Sequence, residues 1–193
     1  MKPKEPEGNS VLYGLEYVKS LGKGKHWRIF IAGNYRDSAA LGLLDKMAHW
    51  IRSFKKDVFY PIMMKDFEIP SVGKEPGWFQ EFIRDTLTSL ISKEERDVLT
   101  PKQTNEVASN IYVVENCGYI FSELTTFGGG GPLAESIVAY VKGLRRYVFM
   151  KEGHRLNPML IALVSGSNQH HYSDEDNLRQ LINTILRTIL TER

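Results

Sequence analysis

Apolar positions along this chain follow two periods that take turns. Residues 27–32 (WRIFIA), apolar but for Arg28 and closed by Gly33, read as a strand buried on both faces. Behind it Leu41, Leu44, Met47, Ala48 and Ile51 recur at helical spacing, with Asp37 placed to cap that helix. A second strand is predicted over 57–63, with Pro61 near its end. Helical patterns follow over 78–91 and over 100–116, the latter opened by Thr100-Pro101. Residues 118–124 give a third strand, and Leu133, Ile137, Tyr140, Val141 and Leu144 line one face of the next helix. A fourth strand over 146–151, a helix over 156–164 and a short strand over 170–173 complete the series. Ser173-Asp174-Glu175-Asp176 then caps a closing helix that runs to Leu190.

Strand and helix alternate, so the pattern predicts an α/β chain with a parallel sheet and helices on both faces. No internal repeat or low-complexity linker interrupts residues 11–193. Residues 1–26 read as a lead-in, with a short amphipathic helix over 11–21, and 27–193 as one domain. Residues 64–76 carry two prolines and a glycine and read as a loop over the ligand edge. Right-handed crossovers bring the loops after the first and third strands to one carboxyl edge.

Composition narrows the classes. An apolar content of 42% in 193 residues supports a sizeable core. A net charge of +2 gives no electrostatic footprint for a nucleic-acid polymer. The longest apolar stretch, over 159–164, is far too short for a bilayer. The opening MKPKEPEGNS is polar, with no signal-peptide hydrophobic segment, and a single cysteine, Cys117, fits a reducing cytoplasm. Cys117 precedes an apolar strand and reads as a small buried hydrophobe. The histidines at 26, 49, 154, 170 and 171 lack metal-ligand spacing, so no metal and no cofactor are assigned. Trp78, Phe79 and Phe82 read as core rather than as a stacking platform, and 142–146 as a solvated basic helix end.

The chemistry concentrates at Gly128, Gly129, Gly130 and Gly131, followed by Pro132 and Glu135. Glycines admit a ligand to the backbone, and free N–H groups at a helix start favour an anion. Pro132 is expected at the first helical position and Glu135 in the first turn, where the dipole keeps a nucleophilic carboxylate ionised. Leu133 stands where a Rossmann fingerprint has its third glycine, and no Gly-Lys-Ser/Thr follows as in a P-loop. Gly33, Asn34, Tyr35 and Arg36 should face this corner, with Arg36 able to grip a phosphate in two places. Glu123 ends the third strand, either as a second carboxylate or as a solvated strand-end charge.

Taken together, these residues resemble the nucleoside 2-deoxyribosyltransferase superfamily, most nearly its 2'-deoxynucleoside 5'-monophosphate N-hydrolases. Gly33-Asn34-Tyr35-Arg36 matches the family's Gly-x-x-Arg after the opening strand. Ser122-Glu123, the glycines and Glu135 match its strand end, loop and nucleophile-bearing helix. Leu156-Asn157-Pro158-Met159 stands where the family has a short Leu-Ser-x-Met helix. The resemblance implies a flavodoxin-like (Rossmann-like), doubly wound, five-stranded parallel sheet in a homodimer, with Asn157 reaching the partner's site. It implies hydrolysis of the N-glycosidic bond of a nucleotide through a covalent Glu135 intermediate. The family's supporting Asp falls near Asn110, and its loop Ser falls at Gly129. Those two differences keep open a non-catalytic nucleotide sensor, beside deoxyribosyl transfer and glycohydrolysis of NAD or cyclic nucleotides. A cytokinin-type phosphoribohydrolase is disfavoured, because Pro132 replaces the Thr of that motif.

Overall fold

The computed structural model describes residues 13–21, 24–90, 92–125, 131–154 and 168–192. In chain order the first elements are β1 (Tyr13–Gly14), α1 (Leu15–Ser20), β2 (Arg28–Ala32), α2 (Ser38–Phe54), β3 (Tyr60–Met63) and β4 (Phe67–Glu68). Then come α3 (Gly77–Leu90), α4 (Lys93–Val98), α5 (Pro101–Glu115) and β5 (Tyr119–Glu123). The chain closes with α6 (Gly131–Val141), β6 (Arg145–Lys151), β7 (Asn168–Tyr172) and α7 (Glu175–Thr191). Two compact units result: Gly24–Lys65 with Val114–Arg193, and Met1–Lys23 with Asp66–Val113.

The larger unit carries a five-stranded sheet in the order β3-β2-β5-β6-β7, parallel at every pairing. Counted along the chain this is second, first, third, fourth, fifth, the flavodoxin-like arrangement. β2 and β5 are buried along their whole length, as a strand flanked on both edges and covered on both faces must be. Ile29, Ile31, Phe121, Phe149 and Tyr172 face one way and pack with Leu44, Met47 and Ile51 of α2 and Leu178, Ile182 and Leu186 of α7. On the other face Ser122 Oγ lies 3.0 Å from Ser136 Oγ of α6. Helices therefore cover both faces, as the alternating pattern predicts.

Local chemistry sets the helix ends. Asp37 caps α2 by accepting from the Ala40 N–H at 2.8 Å, and Asp174 caps α7 by accepting from the Asn177 N–H at 2.8 Å. Beyond α6, Gly143 takes φ 70°. Its N–H reaches the Tyr140 carbonyl at 3.0 Å while the Leu144 N–H reaches that of Ala139 at 2.9 Å. That paired closure turns the chain directly into β6.

In the smaller unit β1 pairs in parallel with β4. α3 and α5 join through aromatic contacts, Trp78 to Tyr112 at 5.0 Å and Phe82 to Tyr112 at 5.1 Å. Lys19 lies 4.3 Å from the Trp78 ring centre, whose indole N–H donates to Glu16. Buried Asn105 donates to the Pro70 carbonyl at 3.0 Å and to Glu75 Oε1 at 2.7 Å. Thr100 and Gln103 cap each other at the start of α5: the Gln103 N–H reaches Thr100 Oγ1 at 3.3 Å, and Gln103 Oε1 accepts the Thr100 N–H at 2.9 Å.

Several boundaries differ from expectation. The first helix is Leu15–Ser20, because Tyr13–Gly14 is extended against Phe67–Glu68. The second strand begins at Tyr60, since Val58 and Phe59 still turn back onto the Lys55 carbonyl. The helix expected over 156–164 lies outside the described residues.

Candidate functional site

In an open parallel sheet, ligands bind beyond the carboxyl ends of the strands, where the order reverses direction. Here that place lies between β2 and β5, which run side by side with Ala32 opposite Ser122. β2 leads into α2 and β5 is followed by α6, so both helices start at this edge. The turn after β2 and the end of β5 thus share one edge of the sheet, where the crossover rule puts a ligand site. Gly128, Gly129, Gly130 and Asn157 lie outside the described residues, and Gly131 is the first residue of α6.

The turn after β2 is shaped by its own side chains. A Cβ on Gly33 would stand 2.5 Å from Leu44 Cδ2, so the missing side chain lets α2 pack closely. Asn34 Oδ1 accepts from the Arg36 N–H at 3.1 Å, forming a local turn. The Tyr35 hydroxyl donates to the Ile31 carbonyl, and its ring packs on the core. Arg36 stays exposed at the edge.

The strand end of β5 is polar and buried. Ser122 and Glu123 are each 1% exposed, so Glu123 is not the solvated strand-end charge that one sequence reading allows. Its Oε1 accepts from the Tyr172 hydroxyl at 2.9 Å and from the Thr125 N–H at 3.0 Å. Thr125 Oγ1 in turn accepts from the Lys151 N–H at 2.7 Å. Burial is the main cause that pushes the Tyr172 hydroxyl well above its usual titration range, keeping it a donor. Sequence patterning singled out neither Tyr172 nor Thr125. The available signal was a pair of polar residues, Ser122-Glu123, closing an otherwise apolar strand.

Glu135 is 5% exposed on α6. Its neighbour Ser136 is fastened to Ser122, which sets this stretch of α6 beside the carboxyl end of β5. One expectation needs correction. α6 begins at Gly131, so Pro132 is its second residue and Glu135 opens the second turn rather than lying in the first. The dipole contribution falls off over that distance, and burial becomes the dominant feature of its setting. Asn110 lies on α5 within the smaller unit and is half-buried.

A cavity of about 470 Å³ opens at the opposite, amino edge of the sheet, lined by Leu144, Tyr147, Asn168, His170, Thr184 and Thr188. Burial lowers the His170 pKa there and favours the neutral imidazole. Cys117 is fully buried, and desolvation pushes its thiol up to about 12, which suits a core residue and not a nucleophile. Among the described residues no cluster of three or more His, Cys, Asp or Glu could hold a metal ion. No helix among them is long and apolar enough to cross a membrane.

No family model matches the chain, and no curated protein matches it. Among solved structures, a conserved protein from Enterococcus faecalis V583 is similar at a TM-score of 0.50 and 15% identity, over 83% of this chain and 99% of that one. The CMP N-glycosidase BcmB of Clostridium botulinum is similar at a TM-score of 0.42 and 14% identity, over 81% of this chain and 98% of that one. The first likeness shows a shared fold. The second is too loose to carry an argument.

Proposed function

We propose that this chain cleaves the N-glycosidic bond of a nucleoside 5'-monophosphate, with Glu135 as nucleophile. The observation that supports this most is a carboxylate only 5% exposed on α6, the helix whose next residue, Ser136, bonds Ser122 of β5, a strand that flanks the switch point. A charge-bearing group is costly to bury without a purpose, and switch points are where such folds bind ligands. The motif resemblance supplies the reaction class.

In this reading a Glu135 oxygen attacks C1' as the C1'–N bond breaks through an oxocarbenium-like transition state. The bond's electron pair leaves with the base, which takes up a proton. Water then attacks the glycosyl ester, freeing the sugar phosphate and returning the carboxylate. Arg36, the Gly33–Asn34–Tyr35 turn and the backbone of Gly128–Gly131 hold the 5'-phosphate, and that remote binding can be spent on orienting the sugar. Asn157 reaches across a homodimer. Admission of a second base instead of water would make the same centre a deoxyribosyltransferase. A cytoplasmic nucleotide pool is the matching substrate source.

Glu135→Ala tests the mechanism. The variant is expected to keep the wild-type circular dichroism spectrum and to release no free base from a panel of deoxyribo- and ribonucleoside 5'-monophosphates and NAD. Full turnover in that variant would discard the role of Glu135. A second reading, a nucleotide sensor, is favoured by Asn110 in place of an acid and by Gly129 in place of a phosphate-binding Ser. It predicts that the wild-type protein binds a member of the panel without releasing its base.

A further inference from the structure

The amino edge of the sheet is incompletely filled. β6 and β7 run side by side there, with Tyr147 opposite Asn168 and Phe149 opposite His170. The His170 ring lies 6.3 Å from that of Tyr147 and 5.8 Å from that of Phe149, within 23° and 26° of parallel. α7 packs on the same face, where Leu178, Ile182 and Leu186 are fully buried. Thr184 and Thr188 of that helix are short and exposed, and they border the gap. About 470 Å³ stays open between helix and sheet. A water occupies only about 30 Å³, and small-molecule sites run to roughly 300–1,000 Å³.

The walls have a definite chemistry. The Thr184 hydroxyl donates to the Gln180 carbonyl at 3.0 Å, and the Thr188 hydroxyl to the Thr184 carbonyl at 3.1 Å. Both hydroxyl protons are thus engaged, and each oxygen is left as an acceptor. His170 Nε2 is buried without a hydrogen-bond partner, so its ring can turn toward a ligand without giving up a bond there. At the rim Arg145 pairs with Glu192, their side chains 56% and 42% exposed. A further space of about 300 Å³, bordered by His26, Gly118 and Ile189, touches the same two residues. The pair therefore borders two openings instead of sealing a packed surface. Arg146 adds a second positive charge to this rim, its guanidinium 4.5 Å from the Tyr140 ring. An ion pair so exposed is worth little, and the Arg145 guanidinium has donors left over for a second anionic group.

We propose that this cavity is a second ligand site, away from the switch point, for a flat heteroaromatic ring that carries one anionic group and one N–H or O–H donor. The ring continues the Tyr147–His170 stack, where offset parallel rings attract. Its donor meets Thr184 Oγ1 or Thr188 Oγ1. Its anionic group takes one side of the Arg145 fork, in place of Glu192 or beside it. Arg145 and Asn168 begin their strands, whereas the switch point lies beyond the far ends of β2 and β5, so both sites can be filled at once. The second site stands whether or not Glu135 is a nucleophile.

The test uses indole-3-carboxylate, with indole and tryptamine as its uncharged and cationic counterparts. Each is titrated into the isotope-labelled full chain and followed by NMR at the Asn168, His170 and Thr188 amides and at the Arg145 Nε–H. Indole-3-carboxylate is expected to shift these signals saturably, with a Kd of about 1 mM or tighter. Indole and tryptamine should bind roughly tenfold more weakly, as should indole-3-carboxylate to Arg145→Gln. Glu192→Gln removes the competitor for Arg145 and should tighten binding roughly two- to fivefold. Thr188→Leu fills the space and should abolish binding while keeping the wild-type circular dichroism spectrum. A weaker Kd in the wild type, equal affinity for the three probes, or shifts confined to the turn over 33–36 would overturn the proposal. So would wild-type binding by a folded Thr188→Leu. Should that variant fail to fold, unchanged binding in Arg145→Gln or weaker binding in Glu192→Gln overturns it equally.

Discussion

Gly118 shows what a single missing side chain does at the amino edge of the sheet. A Cβ there would stand 2.4 Å from His26 Cα and 3.0 Å from the Lys25 carbonyl oxygen. Both are backbone atoms, so no rotamer change relieves the clash. Gly118→Ala is expected to destabilise by roughly 2–3 kcal/mol, seen as a Tm lower by roughly 5–10 °C. Gly33 presents a softer case, since its nearest atoms are the tip of the Leu44 side chain. At this scale the sequence was an incomplete guide to the candidate site. Glu135 and Arg36 were legible as an acid after glycines and a cation after a strand. The fate of Glu123 was not, because its partner Tyr172 comes from a strand whose position only the sheet order reveals. The Tyr35 hydroxyl, turned back onto Ile31, was hidden for a similar reason: nothing in the local pattern says which way a ring folds.

Elements were most legible where side chains announce their ends. Asp37, Asp174 and Thr100 each cap the helix that the pattern assigns to them, Thr100 with the help of Gln103, which the pattern does not single out. The Asp174 carboxyl is held below its ordinary 3.8, mainly by the Asn177 N–H. A carboxyl whose pKa is lower when folded stabilises fully above the unfolded value, and that share fades as pH falls through the folded one. Asp174→Ala is therefore expected to lower Tm by a constant margin between pH 7 and 5. The margin should narrow below a pH of about 4, as thermal melts across that range would show. A margin that widens in acid would contradict the capping account. α4 was illegible: Lys93–Val98 (KEERDV) has one apolar residue and no stripe to read. The β1–β4 pairing was equally hidden, since two residues of strand offer no period and their partners lie far apart in the chain.

For the molecule, alternation of periods was enough to give the class and the two-faced covering of the sheet, because parallel strands joined by helices have few alternatives. The burden of stability falls on the face shared by α2 and α7, where Phe121 and Phe149 lie 5.5 Å apart at the centre. Phe121→Ala is expected to cost about 3–5 kcal/mol, a large part of the roughly 5–15 kcal/mol that holds a domain together. Urea titration should show a lower midpoint with the slope kept. A loss below about 1 kcal/mol would show that this layer repacks freely.

The pairing of Ile29 with Tyr119 carries a consequence for how the chain is made. A ribosome delivers β2, α2 and β3 early, but the innermost edge of β2 must wait for a neighbour encoded beyond the whole of 66–113. Until β5 emerges, a largely apolar strand has one side unclaimed, the kind of exposed template that other chains can join. Slow translation or crowded expression should therefore penalise this protein through aggregation of nascent chains, even where the finished molecule is amply stable.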